Sequence, residues 1–148
     1  SWRDGNQDIY LFSLDDQTTV NITNTPDRHE DYPAWSPDGR KLLYCARLER
    51  GEPPLLQWFV WTVDGVNALS MFRPSSTMTR EYLPFAEQYA RSRTMWSPES
   101  DAFCFAGADL EGREGIWVQP LDRRAERVCG GHVAFWAPRM NRPKVIDG

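Results

Sequence analysis

Three stretches of this chain end a short apolar run in tryptophan and then turn: "AWSPDGRKLLY" (34–44), "MWSPESDAFCF" (95–105) and "FWAPRM" (135–140). Trp35 leads Ser36, Pro37, Asp38 and Gly39. Trp96 leads Ser97 and Pro98, and Trp136 is followed by Ala137 and Pro138. A second string recurs in step with the first: "IYLFSLD" (9–15), "WFVWTVD" (58–64) and "IWVQPLD" (116–122). Each runs large apolar, aromatic, aliphatic, variable, small or Pro, aliphatic, Asp. A short segment carrying Ile22, Leu69 or Val128 follows each Asp, and then the next Trp string begins. Two independent patterns repeat in the same order, so the fold has to be assembled from repeated units.

Repetition every few tens of residues marks propellers and solenoids. Asp-Gly between apolar runs joins antiparallel strands, and the unit reads as four of them. The inner strand ends at the Trp (32–36, 93–97, 132–137), and the second follows the turn (41–46, 102–106, 143–146). The aromatic-rich third is 8–14, 57–63 and 115–121; the outermost is 19–23, 67–72 and 126–129. Tyr10, Phe12 and Leu14 share one face and Ile9, Leu11 and Ser13 the other. Apolar residues on both faces suit sheets stacked face to face. The rhythm breaks once, at 73–93. Tyr82, Phe85 and Tyr89 there fit a helical turn near 84–90. That segment either caps the strands below it or forms a contact surface, with local packing favoured.

Several classes of function are excluded by composition and motif. The chain has 148 residues, 41% hydrophobic and 13% aromatic, enough for a packed core. No run approaches the roughly 20 apolar residues of a membrane helix. Its net charge is −4, and its 17 basic residues, all Arg except Lys41 and Lys144, are scattered. Nucleic-acid binding needs them concentrated. Cys45, Cys104 and Cys129 lack zinc spacing and each falls in an expected strand, where a free thiol acts as a small buried hydrophobe; a Cys104–Cys129 bridge stays open. No G-x-S-x-G elbow exists, and "CGGH" (129–132) lacks the strand-to-helix context of a phosphate loop. Catalytic residues, metal ligands and cofactors are therefore all expected to be none. Asp31, Ser92 and His132 each stand four residues before a Trp, at one end of their units. They read either as contacts at a channel mouth or as ordinary polar loop residues. His29 and His132 alone are too few to form a metal site.

The first repeat resembles, almost phrase by phrase, the WD-like repeat of TolB-type β-propellers. The resemblance rests on Pro33, Ala34, Trp35, Ser36, Pro37, Asp38 and Gly39, and on Arg3, Asp4, Gly5, Asn6, Asp8, Ile9 and Tyr10. It is strong over 3–45 and moderate over 93–138, and "YLPFAEQYARSRTMWSPES" (82–100) is similar to a late-blade insertion of bacterial TolB-like proteins. It implies an all-β fold: a partial β-propeller of about three four-stranded antiparallel blades, with one helical-turn insertion near 80–90. Residues 1–31 would supply outer strands of an incomplete blade, 32–72 and 93–129 one blade each, and 132–148 a degenerate last blade or tail. Propellers close with about four to eight blades, so a fragment of a longer propeller is expected, completed by missing blades or a second copy. The Trp residues would be structural, with Trp35 and Trp96 buried in equivalent positions between blades.

Two departures matter. Glu99-Ser100 replaces Asp-Gly in the second string and is expected to weaken that turn. Ala137-Pro138-Arg139-Met140 loses the turn chemistry in the third. By resemblance the chain is a non-catalytic scaffold for protein–protein interaction, periplasmic or extracytoplasmic, with no nucleic-acid partner and no membrane insertion. The alternative is the gating propeller of a prolyl-oligopeptidase-type hydrolase whose catalytic domain lies elsewhere. A metal-dependent propeller lyase would need more His and Gln than are present.

Overall fold

The structure, a computed structural model, describes residues 7–82 and 94–137. Its strands are β1 (Tyr10–Phe12), β2 (Thr19–Asn21), β3 (His29–Trp35), β4 (Leu42–Glu49), β5 (Leu55–Thr62), β6 (Gly65–Pro74), β7 (Ala102–Ala108), β8 (Glu114–Pro120) and β9 (Glu126–Cys129). A short helical segment, Met78–Tyr82, follows β6. Every strand pairing is antiparallel. The all-β expectation holds: strand accounts for 51% of the structure and helix for almost none. The helical turn expected at 84–90 lies wholly outside the described residues; Met78–Tyr82 falls just before it.

β1 and β2 form a separate hairpin, and β3 to β9 pair in chain order as one meander. The meander is not a flat sheet. β6 and β7 share only Arg73↔Ala108 and Pro74↔Gly107, and beyond that joint the two halves fold over one another. Gly107 permits the crossing. A Cβ there would lie 2.5 Å from the Arg73 carbonyl oxygen and 2.9 Å from the Phe72 ring.

Alternation along β4 and β5 explains why three layers result. Leu43, Cys45, Trp58 and Val60 point one way and pack with Phe72 against Trp96, Phe103, Phe105 and Trp117 of the β7–β9 half. Trp58 lies at the centre, its ring 5.2 Å from Phe72 and 5.4 Å from Phe103. Leu42, Tyr44, Ala46 and Phe59 point the other way and meet Ile9, Leu11 and Ile22 of the hairpin. A sheet buried on both faces has no need of polar alternation, which is why these strands read as continuous apolar runs.

The Trp strings form matching turns. Ser36 N–H donates to Lys41 O, and Gly39 N–H to Ser36 O; Ser97 N–H donates to Ala102 O, and Ser100 N–H to Ser97 O. Both serines are buried hubs. Ser36 Oγ donates to Asp38 Oδ1 at 2.5 Å and accepts from Lys41 N; Ser97 Oγ donates to Asp101 Oδ1 at 2.7 Å and accepts from Ala102 N. The second turn is not lost through the Glu99-Ser100 replacement. Ser100 takes φ of 60° where Gly39 has 69°, and its Oγ accepts from Asp38 N–H across the layers at 3.1 Å. That cross-layer bond offsets the cost of a left-handed non-glycine residue.

Three expectations are corrected. Trp96 is fully buried and its indole N–H donates to Ala34 O at 2.9 Å, but Trp35 is 50% exposed. The reason is the width of the layer each ring faces. Trp96 rests on the four-stranded layer β3–β6, whereas Trp35 faces a two-stranded hairpin and touches Trp61 edge-on at 6.5 Å. The inner strands expected at 93–97 and 132–137 are reduced to isolated bridges, Trp96↔Phe103 and Thr94↔Trp136. Pro138 and the strand expected at 143–146 lie outside the described residues. Cys45 and Cys104 are free and buried, as expected, but Cys129 is free and exposed on the edge strand β9.

Candidate functional site

β3 begins, β4 ends, β5 begins and β6 runs into the helical segment all at one end of the four-stranded layer. A cavity of about 910 Å³ opens there. Its construction follows from the register. β3 and β4 pair His29↔Arg47, Glu30↔Ala46 and Asp31↔Cys45, and a bulge then interrupts the ladder before Ala34↔Leu43. Tyr32, inside the bulge, has φ of 58°. A bulky residue in the left-handed region is held there by its surroundings, and such positions concentrate at functional sites. The bulge turns both Asp31 and Tyr32 onto the cavity wall.

Arg47 lies two residues beyond Cys45 and therefore on the same face of β4. The apolar core closes at Cys45 and Leu56, both buried, and the cavity starts at the next residue pair. Arg47 from β4, Arg50 from the β4–β5 loop and Arg80 from the helical segment all line it. Among the described residues none of the three forms an ion pair, whereas Arg73, Arg113 and Arg123 do. Asp31 Oδ1 accepts from the Tyr32 N–H at 3.1 Å.

The floor is electrically quiet. Burial pushes the Tyr32 phenol well above its ordinary range, with the Asp31 carboxylate adding to the effect. Burial likewise holds the Cys45 thiol protonated far above the usual thiol value. A protonated, fully buried thiol is a poor nucleophile, so these groups shape the cavity and do not attack what enters it. Among the described residues no group of three or more His, Cys, Asp or Glu could hold a metal ion.

Of the residues marked out by the sequence, His29, Asp31 and Cys45 reach this cavity. His132 comes near without lining it: the Ser75 hydroxyl donates to the His132 carbonyl at 3.3 Å, next to the cavity residue Ser76. Tyr82 ends the helical segment; Ser92, Phe85 and Tyr89 lie outside the described residues. The sequence reading missed Tyr32, Arg47, Arg50 and Arg80. Their only signal was Arg at two strand-end or loop positions, and nothing in the string says those ends converge. No protein-family model, curated protein or solved structure matches this chain.

Proposed function

We propose that the stacked layers are consecutive blades of a TolB-type β-propeller. In this reading the chain is a non-catalytic scaffold that presents the strand ends around the cavity to a protein partner in the cell envelope. One observation carries it. The Trp96 turn repeats both backbone hydrogen bonds of the Trp35 turn, and Trp96 is fastened by its indole N–H to Ala34 of the preceding layer. Repeat architectures are built this way, each unit contacting its neighbours through the same residues. The β1–β2 hairpin then represents the outer half of a further blade, and Trp35 faces the place of that blade's inner half.

Scaffold function fits strand ends that gather polar and aromatic side chains on a rigid support without an activated nucleophile. The test is a photo-crosslinking residue placed at Gly51, on the cavity rim, or at Asp64, in the β5–β6 turn at the opposite end. In cells of the native host, a discrete protein adduct is expected from Gly51 and none from Asp64. Adducts of equal yield from both positions, or from neither, would refute a partner-binding end.

A further inference from the structure

We propose that the cavity at the start of β3 binds a small organic anion, with a carboxylate or phosphate held by Arg47, Arg50 and Arg80 and an apolar body against Tyr32 and Leu56. The inference rests on the cavity alone and does not require the propeller reading. Three observations converge on it.

The first is charge. This chain has a net charge of −4, yet three guanidiniums from three separate segments line one concavity. None is neutralised by an ion pair among the described residues, whereas Arg73, Arg113 and Arg123 sit against Glu49, Asp109, Glu111, Asp122 or Glu126. Of the two acids on the wall, Asp31 already accepts the Tyr32 N–H, and Glu52 belongs to the loop at the rim. Three guanidiniums against two carboxylates leave the lining with an excess of positive charge, which an entering oxyanion offsets. Guanidinium is the side chain best suited to that, because its planar fork can give two parallel hydrogen bonds to one carboxylate or phosphate.

The second is shape. About 910 Å³ is the size of a small-molecule site, far more than a single inorganic ion requires. The third is the lining. Beside the arginines the wall includes Tyr32, Leu56, Pro53 and Pro54, which offer apolar surface, together with the polar Gln7, His29, Ser76 and Thr79. A cavity that combines cationic and apolar lining suits an anion attached to a hydrophobic or aromatic body. The bulge that sets Tyr32 at φ of 58° is what brings its ring to that lining.

The experiment uses the whole chain and two probes, phenyl phosphate and benzoate, with inorganic phosphate as the bodiless comparison. Binding is followed by calorimetry and by the Nε–H resonances of the arginines in NMR spectra. Phenyl phosphate or benzoate is expected to bind and to shift the Arg47, Arg50 and Arg80 signals while leaving Arg127, on β9, unmoved. Whichever of the two binds tighter identifies the source of the oxyanion. Arg47→Gln and Arg80→Gln are each expected to weaken binding about tenfold, the scale of one charge-assisted hydrogen bond. Both side chains are exposed, so the variants should fold, and an unchanged thermal midpoint checks this. Failure of both organic probes to bind below about 10 mM would overturn the proposal. So would binding that survives the Arg47→Gln/Arg80→Gln double variant, or inorganic phosphate binding as tightly as the organic probes.

Discussion

Trp35 and Trp96 occupy the same place in the same turn and differ only in what covers them. Trp96 is 0% exposed and bonded to Ala34; Trp35 is 50% exposed. Trp96→Ala is therefore expected to cost about 3–5 kcal/mol, the range for emptying a large aromatic site in a packed core. Trp35→Ala should cost under about 1 kcal/mol. Urea unfolding of both variants measures the difference, and equal losses would contradict the layer-width explanation. Glu30 supplies a second single-residue case. It is buried beside Asp8 and receives a hydrogen bond from the Thr25 hydroxyl. Burial, with the Asp8 carboxylate adding to it and Thr25 opposing, raises its pKa above the ordinary 4.5. The folded state thus holds this proton more tightly than the unfolded chain. That contribution is fully present below the ordinary carboxyl value and is lost as pH rises through the raised one. Glu30→Gln keeps a neutral side chain at all pH. Its thermal midpoint relative to the parent is expected to rise between about pH 4 and pH 7; a constant difference would mean that Glu30 does not titrate abnormally.

At the scale of elements, the decisive feature is the β6–β7 joint. Two residue pairs connect two multi-stranded halves, and the backbones approach there so closely that Gly107 has no room for a side chain. Gly107→Ala is expected to destabilise the fold by about 1–3 kcal/mol, the usual cost of inserting a methyl group where nothing can yield easily. The loss should be absent from Gly112→Ser, where φ is +79° but no atom lies within 4 Å, apart from the smaller backbone strain. Chemical denaturation of the two variants separates crowding from strain. Comparable losses would show that the joint is looser than its distances imply. The motif turns teach a related lesson. Asp-Gly is replaced by Glu-Ser in the second copy, and the element persists because Ser97 and Asp101 rebuild the hydrogen bonds of Ser36 and Asp38.

The molecule as a whole is a stack whose hairpin side is thinner than its middle. Trp35, Phe12 and Val20 are each at least half exposed on the hairpin and at the start of the first turn. Such surfaces recruit further strands or further copies. Sedimentation velocity on the 17.1 kDa chain is expected to show mass increasing with concentration over the micromolar range. Trp35→Glu should reduce that association without lowering stability appreciably. A single monomeric species at every concentration would mean that three layers are sufficient and that the exposed ring recruits nothing.

Local chemistry was enough for the sequence to mark out most of the strands, though not the inner ones at 93–97 and 132–137. Runs such as 57–63 and 67–72 became β5 and β6 within two residues at each end, because apolar runs and turn residues act over a few positions. The serine hubs were present in the motif but not legible in it, since a hydroxyl's partner depends on how the turn closes. The tertiary structure alone decided which tryptophan was covered, because burial belongs to the neighbouring layer and not to the string around the residue. It alone also gathered Arg47, Arg50 and Arg80, which lie in different segments and meet only because three strand ends and a helical segment finish on the same side. Strand formation is local in this chain, whereas coverage and convergence are long-range; the first can be read along the sequence and the second only across the fold.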